Sequence, residues 1–130
     1  MQEFSVPGIA VGVIKNGEIV HAAGYGVREL GLDDPVDTET LFRIASTSKA
    51  FTAASLAMLV DAGKLSWDDK VVDLIPGFAL YDPWVTKEFT VADLLTHRSG
   101  LVSGAGDLML WPKPNEFSRA DIIHGLRYFK

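Results

Sequence analysis

A long, almost charge-free helix is the feature that most constrains the fold of this 130-residue chain. The segment from about Ser46 to Ala62 carries no charged side chain between Lys49 and Asp61, and Gly63 supplies a left-handed terminator. Most of the remaining positions are apolar, among them Phe51, Ala54, Leu56, Ala57, Met58, Leu59 and Val60. A helix that is apolar on so many sides is expected to be buried on most of them.

The segment before this helix predicts a β-hairpin, with strands over about residues 8–15 and 18–25. Its first strand is continuously apolar, and Asn16-Gly17 is the pair favoured in a two-residue turn because both residues accept positive φ. Gly24 and Gly26 indicate a bulge or a bend near the end of the second strand. Because an isolated hairpin is at best marginally stable and this one is apolar on both faces, the sheet is expected to be incomplete.

Three shorter helices and two loops are expected in the rest of the chain. The first helix would be capped by Asp68 or Asp69 and run through Ile75. The second would be capped by Thr90 and run through His97. The third would be capped by Ser118, with Asp121 three residues later, and run through Tyr128. Pro83-Trp84 and Trp111–Pro114 are expected to be loops. One hairpin followed by several helices indicates an α+β fold, here a single partial domain over residues 1–130.

Composition excludes several function classes. The chain has no cysteine, so disulfides, zinc thiolates and thiol catalysis are ruled out. Its 12 basic and 17 acidic side chains give a net charge of −5, which argues against nucleic acid or an anionic membrane as a partner. No metal ligand spacing and no cofactor motif is apparent. No signal peptide is expected from the N-terminus, and no apolar run is long enough for a membrane segment.

Ser46 and Lys49 form an S-x-x-K arrangement at the start of the apolar helix. Three residues apart, the two side chains share nearly the same helical face, so the lysine amine can reach the serine hydroxyl. Apolar surroundings and the positive helix end would disfavour the charged lysine and suit it to act as a base, while the Ser46 N–H could serve an oxyanion. The alternative is that Ser46 is only an N-cap and Lys49 a solvated lysine, since chance alone yields roughly half an S-x-x-K in a chain of this length.

Four ordered stretches give the chain a family resemblance. They are Val6-Pro7-Gly8, Phe42–Lys49, Leu59–Leu65 followed by Asp68–Val71, and Leu95-Thr96-His97-Arg98-Ser99-Gly100-Leu101. In this order and spacing, the chain resembles the N-terminal third of the serine β-lactamase and penicillin-binding-protein superfamily, on the branch of class C β-lactamases, D-Ala-D-Ala carboxypeptidases and esterases. The resemblance implies that Ser46 is the acylated nucleophile, that Lys49 shuttles its proton, and that His97 is an interior structural residue.

Two motifs of that family do not occur among these 130 residues, namely Tyr-x-Asn and Lys-Thr-Gly or His-x-Gly. We therefore expect the chain to be an N-terminal fragment that is itself inactive, with serine hydrolysis of an amide, β-lactam or ester through an acyl-enzyme in the full-length protein. The alternative is a non-catalytic β-lactamase-like binding or assembly module. The expected partners are a small-molecule or peptide acyl substrate and a second chain bound through the exposed strand edge. The resemblance makes a periplasmic or extracellular location plausible.

Overall fold

The computed structural model describes residues 1–111 and 114–130, which form two compact units, residues 1–45 and 46–130. The first unit contains β1 (Gly8–Lys15) and β2 (Glu18–Gly26) after a short 3-10 turn at Gln2–Phe4. The second contains α1 (Ser48–Asp61), α2 (Val71–Leu74), α3 (Pro83–Glu88), α4 (Val91–Leu94), α5 (Asp107–Leu110) and α6 (Arg119–Gly125). Two further 3-10 turns lie at Ala45–Thr47 and Leu126–Tyr128. The single partial domain expected from the sequence stays a prediction.

Strands β1 and β2 form a two-stranded antiparallel sheet in which Gly8 pairs with Gly26 and Lys15 with Glu18. The turn follows the sequence prediction, because Asn16 and Gly17 both have positive φ, 51° and 82°. Of the bulge or bend expected near Gly24 and Gly26, the bulge is not found, because the pairing keeps one register from Gly8–Gly26 to Val13–His21. The register shift falls at the turn end instead, between Val13 and Ile14.

Gly24 serves to let another segment approach the sheet. A Cβ at Gly24 would collide with the carbonyl of Val36, and one at Gly8 would lie 2.6 Å from a Val36 methyl group. Val36 is buried, and its N–H donates to the Gly26 carbonyl at 3.0 Å. The two ends of the loop over residues 28–34 are held together. Val27 and Pro35 form an isolated β-bridge, and the Arg28 N–H donates to the Asp34 carbonyl at 2.8 Å.

The core of the second unit gathers around Val71, not around α1. Val71, Phe78, Leu80 and Phe89 are buried together, and partly buried side chains pack on them from α2, α3, α6 and the turns beside them, namely Ile75, Val85, Ile123 and Leu126. The Phe78 and Phe89 rings stack with centroids 6.1 Å apart. Backbone bonds from Val71 N–H to Phe89 O at 2.9 Å and from Val91 N–H to Asp69 O at 3.0 Å join the starts of α2 and α4.

Two of the three predicted caps are present. Thr90 and Asp93 form a capping box on α4, and Ser118 and Asp121 form one on α6. The predicted Asp68 or Asp69 cap on α2 is wrong, since Lys70 occupies the N-cap and Asp69 accepts the Ser66 N–H instead.

Of the two loops expected from the sequence, one is wrong and the other lies partly outside the described residues. Pro83-Trp84 is not a loop but the first turn of α3, because Asp82 accepts the Trp84 and Val85 N–H groups and Pro83 suits the first helical position. In the expected loop at Trp111–Pro114, Pro112 and Lys113 lie outside the described residues.

Helix α1 is the main departure from expectation. It was expected to be buried on most sides, yet none of its residues is buried, and Phe51 and Met58 are 68% and 72% exposed. The buried cluster is built around Val71 and includes no residue of α1, and large apolar side chains of the other helices, such as Trp84 and Leu108, are exposed as well. The observed α+β architecture, a two-stranded antiparallel sheet with helices, is nevertheless the predicted fold class.

Candidate active site

Ser46 and Lys49 are brought together at the start of α1. Lys49 Nζ donates a hydrogen bond to Ser46 Oγ at 2.8 Å. Ser46 lies in the 3-10 turn over Ala45–Thr47, and Lys49 lies in the first turn of α1. The i, i+3 spacing therefore places the amine and the hydroxyl in direct contact, as the sequence predicted.

The backbone that enters this site is unusual. Ala45, directly before Ser46, has φ of 43°, in the left-handed region that non-glycine residues rarely occupy. Thr47, at the N-cap of α1, has helical dihedral angles, and its side chain does not cap the helix. An expectation that Ser46 caps the helix is therefore wrong, because the α-helical residues begin at Ser48. Strain of this kind costs about 1–3 kcal/mol and is concentrated at functional sites.

Both side chains of the pair are exposed. The expected burial of Lys49 in apolar surroundings is not found, because none of the residues of α1 is buried. No apolar layer lies over the start of the helix in the described parts of the chain. Ser46 and Lys49 are therefore both accessible to solvent in this structure.

A cavity of about 390 Å³ adjoins Lys49. Its walls come from α1 and from the end of α4, namely Lys49, Thr52, Ala53, Leu94, Leu95 and His97. The Leu95–Leu101 stretch, one of the four that carry the family resemblance, thus contributes to the same cavity as Lys49. Sequence reasoning missed Thr52, although its position three residues after Lys49 could have indicated it.

His97 is not the interior histidine that the resemblance implied. Its side chain is exposed, and its backbone φ is 55°. This left-handed conformation ends the turn that follows α4 and brings the residue to the rim of the cavity beside Lys49.

The described residues show neither a metal-binding cluster nor a membrane-spanning helix. Residues 1–111 and 114–130 contain no group of three histidine, aspartate or glutamate side chains placed to hold a metal ion. In the same residues, no helix has the length and hydropathy that crossing a bilayer requires.

Comparison with known proteins identifies the family. The Beta-lactamase family model matches residues 1–128. Penicillin-binding protein 4 of Amycolatopsis lactamdurans is 40% identical over 108 residues, which are 83% of this chain and 27% of that protein. Unguisins hydrolase ungD of Aspergillus violaceofuscus is 33% identical over 130 residues, 96% of this chain and 23% of that protein.

A solved structure shows the same fold. The octameric penicillin-binding protein homologue from Pyrococcus abyssi superposes with a TM-score of 0.73 at 36% identity, over 89% of this chain and 26% of that one. The chain spans about a quarter of the length of these relatives. The resemblance seen in the four sequence stretches is confirmed: the chain belongs to the β-lactamase family.

Proposed function

We propose that this chain carries the nucleophile and the base of a serine hydrolase, with Ser46 attacking an acyl carbonyl and Lys49 managing its proton. The observation that carries the proposal is the 2.8 Å hydrogen bond between Lys49 Nζ and Ser46 Oγ. A nucleophile and a base within hydrogen-bond reach are what covalent acyl transfer requires. The family membership and the relative named as a hydrolase support the same reading.

The proposed reaction proceeds in two halves. Lys49, in its neutral form, accepts the Ser46 hydroxyl proton while Oγ bonds to the substrate carbonyl carbon. The tetrahedral intermediate collapses, the bond to the leaving group breaks, and the leaving group takes the proton that Lys49 accepted from Ser46. Water then attacks the Ser46 ester, releases the acid and restores the hydroxyl. The positive end of the 14-residue helix α1 favours the oxyanion in both halves.

The substrate is an amide, a β-lactam or an ester, and the activity belongs to the full-length protein. We propose that residues 1–130 alone have negligible turnover, because Tyr-x-Asn and Lys-Thr-Gly or His-x-Gly are absent from this sequence. Ser46-dependent turnover by the purified 130-residue chain would contradict this part of the proposal. We also propose self-association through the exposed strand edge, in line with the octameric state named for the Pyrococcus abyssi homologue.

Covalent labelling of the full-length gene product tests the nucleophile. A fluorescent penicillin and a fluorophosphonate should label the wild type, and Ser46→Ala should remove the label completely. Ser48→Ala is the matched control, because Ser48 is an exposed hydroxyl two residues away, and its labelling should equal that of the wild type. Labelling that survives Ser46→Ala would overturn the assignment.

The alternative is a non-catalytic binding or assembly module with the same fold. The exposure of both Ser46 and Lys49 favours it, since a working acyl-enzyme site normally excludes water. A wild-type full-length protein that takes up neither probe would support this alternative.

A further inference from the structure

A second cavity of the second unit lies between the turn after α2 and helix α6. Its volume is about 430 Å³, which is in the range of small-molecule sites. The residues that form its two walls and carry the argument below are Ile75, Pro76 and Gly77 on one side and Asp121, Ile123 and Arg127 on the other. It shares no lining residue with the cavity beside Lys49, so the proposed acyl transfer gives it no role.

A side-chain hydrogen bond ties the two walls together. The Arg127 Nη2 atom donates to the Gly77 carbonyl at 2.7 Å, across 50 positions of the sequence. Arg127 Nε donates to the His124 carbonyl at 3.0 Å, which holds the guanidinium against its own helical turn. Ile75 and Ile123 both pack on the Val71 core. The walls of the cavity are therefore attached to each other and to the core.

Arg127 and Asp121 give the cavity one full charge of each sign. The guanidinium is always protonated and has five N–H donors. The bonds to Gly77 and His124 use two of these donors, and the described part of the chain offers no acceptor to the others. The Asp121 carboxylate accepts the Ser118 N–H and hydroxyl at Oδ2, whereas its Oδ1 accepts no hydrogen bond from a described residue. Because the Ser118 hydroxyl bonds to it, the pKa of Asp121 lies below its ordinary value, and the carboxylate is ionised at neutral pH.

These two charges favour a ligand that carries both signs. A simple anion bound to Arg127 would be repelled by the Asp121 carboxylate, and a simple cation bound to Asp121 would be repelled by the guanidinium. The two residues are six positions apart, which corresponds to about 9 Å along a helix axis, so one small zwitterion can reach both. Ile75, Pro76 and Ile123 supply apolar surface for the rest of such a molecule.

We propose that this cavity binds a free α-amino acid with an apolar side chain, with its carboxylate on Arg127 and its ammonium group on Asp121. Both contacts are charge-assisted hydrogen bonds, which are roughly twice as strong as neutral ones. Ile75 and Pro76 contact the side chain of the ligand. The site needs neither Ser46 nor Lys49, so its failure and that of the proposed hydrolase can be told apart.

Isothermal titration calorimetry of the full-length protein tests the proposal with L-leucine as the probe. N-acetyl-L-leucine lacks the ammonium group and L-leucinamide lacks the carboxylate, so each should bind about tenfold more weakly than L-leucine. Ser46→Ala should bind L-leucine as the wild type does, because the cavity is separate from the site of acyl transfer. L-leucine that does not bind, or that binds no more tightly than the two blocked forms, would overturn the proposal.

Two substitutions in the same full-length protein test the location of the site. Arg127→Gln and Asp121→Asn should each weaken L-leucine binding about tenfold, and Asp121→Asn should not weaken N-acetyl-L-leucine, which has no ammonium group to lose. Arg119→Gln is the matched control, because it removes an exposed charge from α6 outside the cavity, and it should bind L-leucine as the wild type does. Thermal midpoints check that the variants are folded, and the comparison of the three ligands on the wild type decides the matter if one is not. L-leucine affinity that survives both Arg127→Gln and Asp121→Asn would refute the proposal.

Discussion

Two regions of the second unit are organised on opposite principles. Around Val71 and Val91, which are 1% and 2% exposed, apolar side chains are enclosed and helix α4 begins with a complete capping box. At the start of α1, Ser46 and Lys49 are exposed, Ala45 has left-handed backbone angles, and Thr47 gives no side-chain cap. The first region has the features of a stabilising core, and the second is open to solvent and carries the proposed Ser46–Lys49 pair.

The difference teaches that the geometry of the proposed site does not depend on packing around it. The bond between Lys49 and Ser46 is local, spanning three residues of one turn, so it forms although α1 is uncovered. The Val71 core, in contrast, joins side chains from α2, α3, α6 and the turns beside them. Substitutions in one region should therefore leave the property of the other unchanged.

The largest expected effect is on chemistry. In the full-length protein, Lys49→Met should slow acylation of Ser46 by about a thousandfold, because the proton acceptor is lost. In the 130-residue chain, the thermal midpoint should not change, since the Lys49 side chain is exposed there. Stopped-flow labelling and calorimetry measure the two quantities. Lys64→Met, at an exposed lysine just beyond α1, is the control and should react at the wild-type rate. Full reactivity of Lys49→Met would remove the lysine from the mechanism.

A substitution in the Val71 core should affect stability and leave the Ser46–Lys49 pair unchanged. Phe89→Ala should lower the free energy of unfolding of the 130-residue chain by about 3–5 kcal/mol, because it empties the centre of the core beside Phe78. Phe51→Ala makes the same change on the exposed side of α1 and should cost less than about 0.5 kcal/mol. Urea denaturation measures both. Equal losses would show that α1 is packed in solution and would erase the contrast between the regions.

The smallest expected effect is on the pH dependence of stability, through the Thr90–Asp93 capping box of α4. The Thr90 hydroxyl and backbone N–H bond to Asp93 and hold the pKa of that carboxyl below its ordinary value. A carboxylate with a lowered pKa stabilises the fold above its unfolded pKa, and this stability is lost as the pH falls through the folded pKa. The urea concentration at the unfolding midpoint should therefore decrease as the pH is lowered from about 6 to about 3. Thr90→Val should reduce that fall, whereas Thr38→Val in the first unit should not. An unchanged pH dependence in Thr90→Val would contradict the role of this box.

Local features were predictable from the sequence, and packing was not. The Asn16-Gly17 turn and the Thr90 and Ser118 caps follow from backbone preferences of single residues, and the structure has all three. The exposure of α1 and His97 depends on which apolar side chains assemble elsewhere, which periodicity does not encode. From sequence alone, Gly24 indicates a bulge or a bend, because a sequence does not reveal that the backbone of Val36, twelve residues later, lies where a Cβ of residue 24 would be. Pro83 predicts a loop from sequence alone, although proline suits a helix start equally well and here begins α3.

The β-bridge between Val27 and Pro35 has a practical consequence for engineering. Since the bridge and the bond from Arg28 to Asp34 hold both ends of the 28–34 loop, the length of the loop is decoupled from the hairpin. Doubling the length of a flexible loop costs only about 0.6 kcal/mol in closure entropy. Leu30 and Gly31 are exposed at its tip. An epitope or a fluorescent-dye acceptor peptide inserted between them would report on this protein without entering the sheet.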